Sequence, residues 1–103
     1  MPAADYLVAL QQKTPREFDK LRALLDRAGE VGPQNIRNPE KVKTLGKGLF
    51  EFKSYQERLF WCYGSSQGQR RTVLLLDGVT KKRDKHRPSD LARAREVMRD
   101  MNE

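Results

Sequence analysis

The chain has 103 residues, enough for one domain built on one core with little to spare. Lys and Arg outnumber Asp and Glu by 21 to 14, and the resulting net charge of +7 favours a polyanionic or acidic partner over a neutral small-molecule substrate. A single cysteine excludes an internal disulfide. One histidine and scattered carboxylates give no metal site and no cofactor to expect, no apolar run approaches a membrane span, and Met1-Pro-Ala-Ala-Asp5 lacks the pattern of a signal peptide, so a cytoplasmic protein is expected.

Ala3 to Lys13 reads as a short first helix on the spacing of Tyr6, Leu7 and Leu10. Thr14-Pro15-Arg16-Glu17 then supplies a capping residue, a proline at the first helical position and a glutamate three residues after the cap. The helix it opens carries Phe18, Leu21, Leu24, Leu25 and Ala28 at helical spacing, with Gly29 as the expected terminating residue. The two form a helical hairpin with one apolar face to bury. Gly32-Pro33 and Asn38-Pro39 make Glu30 to Glu40 a loop crossing to a sheet, which Lys41, Lys43 and Lys47 approach as a basic edge around Val42 and Leu45.

Leu45 to Lys85 holds nearly all the strand signal. Gly48-Leu-Phe-Glu-Phe-Lys53 and Arg58-Leu-Phe-Trp-Cys-Tyr63 are aromatic-rich runs separated by Ser54-Tyr-Gln-Glu57, the length of a hairpin loop. Antiparallel pairing sets Lys53 opposite Arg58, Phe52 opposite Leu59, Glu51 opposite Phe60 and Phe50 opposite Trp61. One face then carries Phe50, Phe52, Leu59 and Trp61 as a core side, and the other carries Glu51, Lys53 and Arg58 as a charged side beside Leu49, Phe60 and Cys62. Like charges directly opposite each other are destabilising, so Lys53 and Arg58 either splay into water or hold something anionic between them. A third strand, Arg70 to Leu76, has the continuous run Val73-Leu-Leu-Leu76 of a strand covered on both faces, and Asp77-Gly78 marks a bend after it. The densest positive run, Lys81-Lys82-Arg83-Asp84-Lys85-His86-Arg87, precedes a last helix capped at Ser89, with Leu91, Ala94, Met98 and Met101 as its apolar stripe.

Gly46-Lys-Gly48 has neither the spacing nor the following helix of a phosphate-binding loop. Cys62, mid-strand, reads as a small buried thiol. What remains is a basic constellation of Lys53 and Arg58 on the hairpin and Lys81, Lys82, Lys85 and His86 after the third strand, two groups that converge if that strand lies beside the second.

Leu45-Gly-Lys-Gly-Leu-Phe-Glu-Phe-Lys53, then Arg58 inside an aromatic strand, then Val73-Leu-Leu-Leu-Asp-Gly-Val-Thr-Lys-Lys82, then a Pro-led helix with alanines, resembles the RelE/ParE superfamily of toxins, and within it the HigB-like, phage-derived branch. That branch is written L-x-x-G-L-x-E-L-R, Y-R-x-x-Y, L-x-x-F-x-K-K-x-x-K-T-P, and the likeness covers about Leu45 to Met98. The resemblance implies a single α+β domain of RelE-like fold over residues 1–103, with an N-terminal helical hairpin packed on a small antiparallel sheet of three to four strands and a C-terminal helix. Arg58 matches the arginine of Y-R-x-x-Y, Lys53 the arginine of E-L-R, and Lys81 and Lys82 the lysine pair. The chain departs from the pattern at Glu57, where a tyrosine is usual, at Val79 for phenylalanine, at His86 for threonine, and at Arg87, one residue extra before Pro88. The family opens with a strand before the first helix, which Met1 to Asp5 is too short and polar to supply, so an open sheet edge is expected.

The activity implied is that of a ribosome-dependent mRNA interferase, the toxin of a type II toxin-antitoxin system, cutting RNA without a metal by attack of the 2'-hydroxyl on its own phosphate. The implied catalytic residues are Arg58 as transition-state cation, Lys53 and Lys82 on the phosphates, and Glu51 and His86 for proton transfer, an unperturbed imidazole having a pKa of about 6.5. Lys47, Lys81, Arg83, Lys85 and Arg87 are the RNA-binding residues around them. The implied partners are a cognate antitoxin of helix-turn-helix type and mRNA on the ribosome, with no membrane and no small-molecule substrate. Two alternatives stay open on the same fold, a ParE-like gyrase inhibitor and a small nucleic-acid-binding module.

Overall fold

A computed structural model describes residues 2–38, 40–67, 70–81 and 86–101. Helix α1 (Pro2–Lys13) and helix α2 (Pro15–Val31) form the expected hairpin, a short 3-10 turn follows at Pro33–Asn35, and the strands β1 (Val42–Gly46), β2 (Leu49–Ser54), β3 (Glu57–Gln67) and β4 (Arg70–Thr80) lead to helix α3 (Pro88–Met101). The strands form one antiparallel sheet in the order β1-β2-β3-β4. The architecture is α+β and matches the RelE-like fold.

The β2/β3 register is the one read from the sequence, with Phe50 opposite Trp61, Glu51 opposite Phe60, Phe52 opposite Leu59 and Lys53 opposite Arg58. Trp61 is 1% exposed and stacks on Phe50 and Phe52 with ring centroids 4.6 and 4.8 Å away. Such ring pairs are worth about 0.5–1.5 kcal/mol each beyond the area they bury. With Leu59 they meet Leu10, Leu21, Leu24 and Ala28 of the helical hairpin in the main core.

The other sheet face is not simply the charged side expected. Leu49, Phe60, Cys62 and Leu76 form a second core there, closed by Ala94, Leu91, Val97, Met98 and Met101 of α3. Helix α3 therefore covers the face that carries Glu51 and Arg58, and those charges are buried beside an apolar layer.

Four local expectations are corrected. Helix α2 runs past Gly29 to Val31 and ends at Gly32 (φ 84), whose amide bonds the Ala28 carbonyl, because Pro33 follows directly and cannot continue the ladder. Thr14 makes no capping bond; its hydroxyl donates to the Leu10 carbonyl and closes α1 instead. The stretch Val42–Gly46, read only as a basic approach, is edge strand β1. Asp77-Gly78 is not a bend but lies inside β4, next to a register shift opposite Phe60 and Trp61.

Glu57 and Tyr6 fasten α1 to the sheet. Glu57 is 3% exposed, accepts from the Tyr6 hydroxyl, and accepts from the Thr80 hydroxyl at 2.6 Å. Tyr6 also lies on Gly78, where a Cβ would come within 2.2 Å of its ring. Gly78→Ala must push Tyr6 and α1 away and is expected to destabilise by about 1–3 kcal/mol, the usual range for overpacking. Urea denaturation measures this, and a cycle with Tyr6→Ala should show the two changes to be strongly coupled rather than additive.

Burial, reinforced by the bond to Glu57 and its charge, holds the Tyr6 phenol well above its ordinary range. The folded state therefore keeps a proton that the unfolded chain releases near pH 10, and between the two values the folded chain binds more protons than the unfolded one. Stability from this group is fully present below about pH 10 and declines as pH rises above it. Denaturation midpoints followed into the alkaline range should fall more steeply for the parent chain than for Tyr6→Phe; equal slopes would show that Tyr6 does not titrate with folding.

Candidate functional site

The site grows from the alternation of β2 and β3. Glu51 and Arg58 point to the α3 face, diagonal to one another across the hairpin. Their side chains are both 3% exposed, with Arg58 Nε 3.3 Å from Glu51 Oε1. Arg58 Nη1 also donates to the carbonyls of Tyr55 and Glu57, the latter at 3.0 Å. Glu51 and the backbone of the β2/β3 turn, where Tyr55 adopts φ 56, thus help to fix the guanidinium. The carboxylates beside these two cations come from within the chain and differ: Arg58 meets Glu51, and Lys53 Nζ lies 3.5 Å from Glu40 Oε2.

His86 completes the group. Its Nε2 bonds Glu51 Oε2, its side chain is 8% exposed, and its ring meets Phe60 edge-on at 5.1 Å. Glu51 thus spends one oxygen on the guanidinium and the other on the imidazole. In the tautomer whose Nε2–H donates to the carboxylate, the lone pair of the imidazole is on Nδ1, which is buried and, among the described residues, has no hydrogen-bond partner. A carboxylate that fixes the tautomer and leaves the opposite nitrogen able to accept a proton is the arrangement of a general base.

Of the residues singled out from the sequence, Glu51, Arg58 and His86 are brought together and Lys53 lies beside them. Lys81 sits at the end of β4 with its ammonium 3.2 Å from Asp90 Oδ2. Arg87 is exposed at the start of α3. Lys47 is exposed in the β1/β2 turn (φ 52), at the other end of β2 from Arg58, and so is not part of the cluster. Lys82, Arg83 and Lys85 lie outside the described residues.

Sequence reasoning missed the ion network that holds α3 over this face. Asp77 on β4 binds Arg93, Arg93 lies 3.6 Å from Asp90, and Asp90 binds Lys81. The bond to Asp77 pushes the Arg93 guanidinium further above its already high range. Arg95 donates to the carbonyls of Leu45 and Gly46 at 3.3 and 3.4 Å and ties the same helix to the β1/β2 turn. The signal was present in Asp77, a carboxylate at a strand position that alternation aims at α3.

Among the described residues no group of His, Cys, Asp and Glu could hold a metal ion, and no helix is long and apolar enough to cross a membrane. No curated protein matches the chain. A family model described as phage derived protein Gp49-like (DUF891) matches residues 5–99, which takes in both N-terminal helices, the whole sheet and nearly all of α3. The chain belongs to this toxin-antitoxin-associated family of phage-derived proteins, itself part of the RelE/HigB-like toxin superfamily.

Proposed function

We propose that the chain is the toxin of a type II toxin-antitoxin system, of the HigB-like kind, and that it cuts mRNA on the ribosome in the cytoplasm. The observation that carries this is the buried carboxylate of Glu51, which holds Arg58 on one oxygen and His86 on the other and, among the described residues, leaves His86 Nδ1 unpartnered. In the reaction Nδ1 takes the proton of the 2'-hydroxyl, the oxygen so freed bonds to the adjacent phosphorus, and the bond to the 5'-oxygen breaks. A cyclic phosphate and a 5'-hydroxyl result, the latter protonated by Lys82 or by water. Glu51 orients the imidazole and balances its charge, while Arg58, a planar fork suited to phosphate oxygens, stabilises the pentavalent transition state. Lys53 and Lys82 position the phosphates, and Lys47, Lys81, Arg83, Lys85 and Arg87 hold the flanking RNA. The partner that silences the toxin is a cognate antitoxin, of helix-turn-helix type.

One observation favours a second reading. With Arg58 and Glu51 both 3% exposed, a phosphate reaches the guanidinium only after the cover over this face opens. A non-catalytic member of the fold, such as a gyrase inhibitor, would use Arg58 only as a structural cation. Pulse labelling after induced expression in a growing bacterium separates the two. A ribosome-dependent ribonuclease stops protein synthesis while DNA synthesis continues; a gyrase inhibitor stops DNA synthesis first.

A further inference from the structure

We propose that the outer edge of β4, at residues 73–76, is a docking site where an extended acidic segment of a partner protein adds to the sheet as a further strand and seats an apolar side chain between α2 and β4. The two edges of this sheet are built differently. Edge strand β1 has five residues, a lysine at Lys43, a register shift between Thr44 and Gly46, and carbonyls at Leu45 and Gly46 already taken by Arg95. Those are the usual devices that keep an edge from pairing. Strand β4 has eleven residues and, among the described residues, pairs on one side only, with β3. Neither proline nor lysine interrupts it.

Its second half is closed by side chains: the Gly78 amide donates to Asp77 Oδ1 at 2.8 Å, and the Val79 carbonyl accepts from the Tyr6 hydroxyl at 3.4 Å. Residues 73–76 lie outside these two closures. Beside this stretch the half-buried Val73 and Leu75 line a cleft of about 200 Å³ with Leu25, Ala28, Gly29 and Phe52. The cleft is open at Gly29, where a Cβ would meet nothing within 4 Å. Outward-facing amides and carbonyls next to an apolar recess are what strand addition requires, the backbone giving affinity and alternate side chains entering the recess.

Charge selects the occupant. Two copies of a chain carrying +7 repel one another, whereas an acidic segment is attracted to it. Calling that partner an antitoxin rests on the toxin function proposed above; the strand addition does not.

The test uses the full chain and a synthetic peptide of alternating valine and glutamate, with amide hydrogen exchange and a binding titration as readouts. The peptide is expected to slow exchange at the amides among residues 73–76 that face away from β3, and a valine-lysine peptide to bind at least about tenfold more weakly. Gly29→Leu, which fills the recess, should weaken the acidic peptide about tenfold, while Gly29→Ala, which adds one methyl in open space, should not. The protection map stands by itself if Gly29→Leu does not fold. The proposal is overturned if the acidic peptide protects none of these amides, if the basic peptide binds as well, or if the amides are already protected in a dimer seen by light scattering. None of these outcomes depends on whether the chain cleaves RNA.

Discussion

Arg58→Ala is expected to abolish the proposed cleavage and to weaken the fold severely. The guanidinium is the buried partner of Glu51, and removing one member of a buried ion pair leaves an uncompensated charge worth about 3–5 kcal/mol. That is a large part of the roughly 5–15 kcal/mol that stabilises a domain of this size. The alanine variant therefore does not isolate catalysis. Arg58→Lys does so better, since an ammonium keeps a charge beside Glu51 but loses the fork that grips phosphate oxygens and turn carbonyls. It is expected to fold and to cut about 100- to 1,000-fold more slowly, the loss typical of removing one transition-state donor. Denaturant midpoints and cleavage rates measured on the same preparations check both halves. A well-folded Arg58→Lys variant with full activity would remove Arg58 from the chemistry.

His86→Ala is expected to divide the two effects the other way. Glu51 keeps Arg58, so the fold loses one hydrogen bond and an edge contact with Phe60, a loss of about 1–2 kcal/mol. Cleavage should fall about 100- to 10,000-fold, the usual contribution of a positioned base. Added imidazole should restore part of the rate, because the lost group is a proton acceptor in a space the smaller side chain leaves vacant. An unchanged rate in a folded His86→Ala protein would show that proton transfer runs elsewhere.

The hairpin at the centre of the fold was legible because the aromatic runs on either side of Ser54-Tyr-Gln-Glu57 leave one register that puts Phe52, Leu59 and Trp61 on one face. What the sequence hid was the second cover. The narrow stripe of α3 was visible, but its seat on the sheet face that carries Glu51 and Arg58 depends on Asp77, Asp90 and Arg93, whose partners lie on different elements. Strand β1 was obscure because an edge strand needs only Val42 and Leu45 to pack and fills its other positions with polar residues. Asp77-Gly78 has turn composition but is held straight, since Asp77 serves Arg93 and Gly78 makes room for Tyr6. Glu57 looked like a departure from a tyrosine pattern. It points to the opposite face from Arg58 and binds Tyr6, a partner 51 residues away that no local pattern reveals.

For the candidate site, residue types were legible and their contacts were not. A carboxylate on the same strand face as Arg58 could be read as a proton carrier, yet both Glu51 oxygens are engaged, which suits it to orienting His86 rather than exchanging protons with RNA. Lys53 and Arg58 sit opposite one another as expected, but each meets a different carboxylate of the chain, Glu40 for Lys53 and Glu51 for Arg58.

Primer extension on an mRNA in a cell-free extract tests ribosome-dependent cleavage most directly. With the purified chain present, new 5' ends are expected on the message while it is being translated, and none when initiation is blocked or when the naked RNA is incubated alone. The same ends appearing without translation, or no ends at a concentration of the chain that arrests growth in cells, would contradict it.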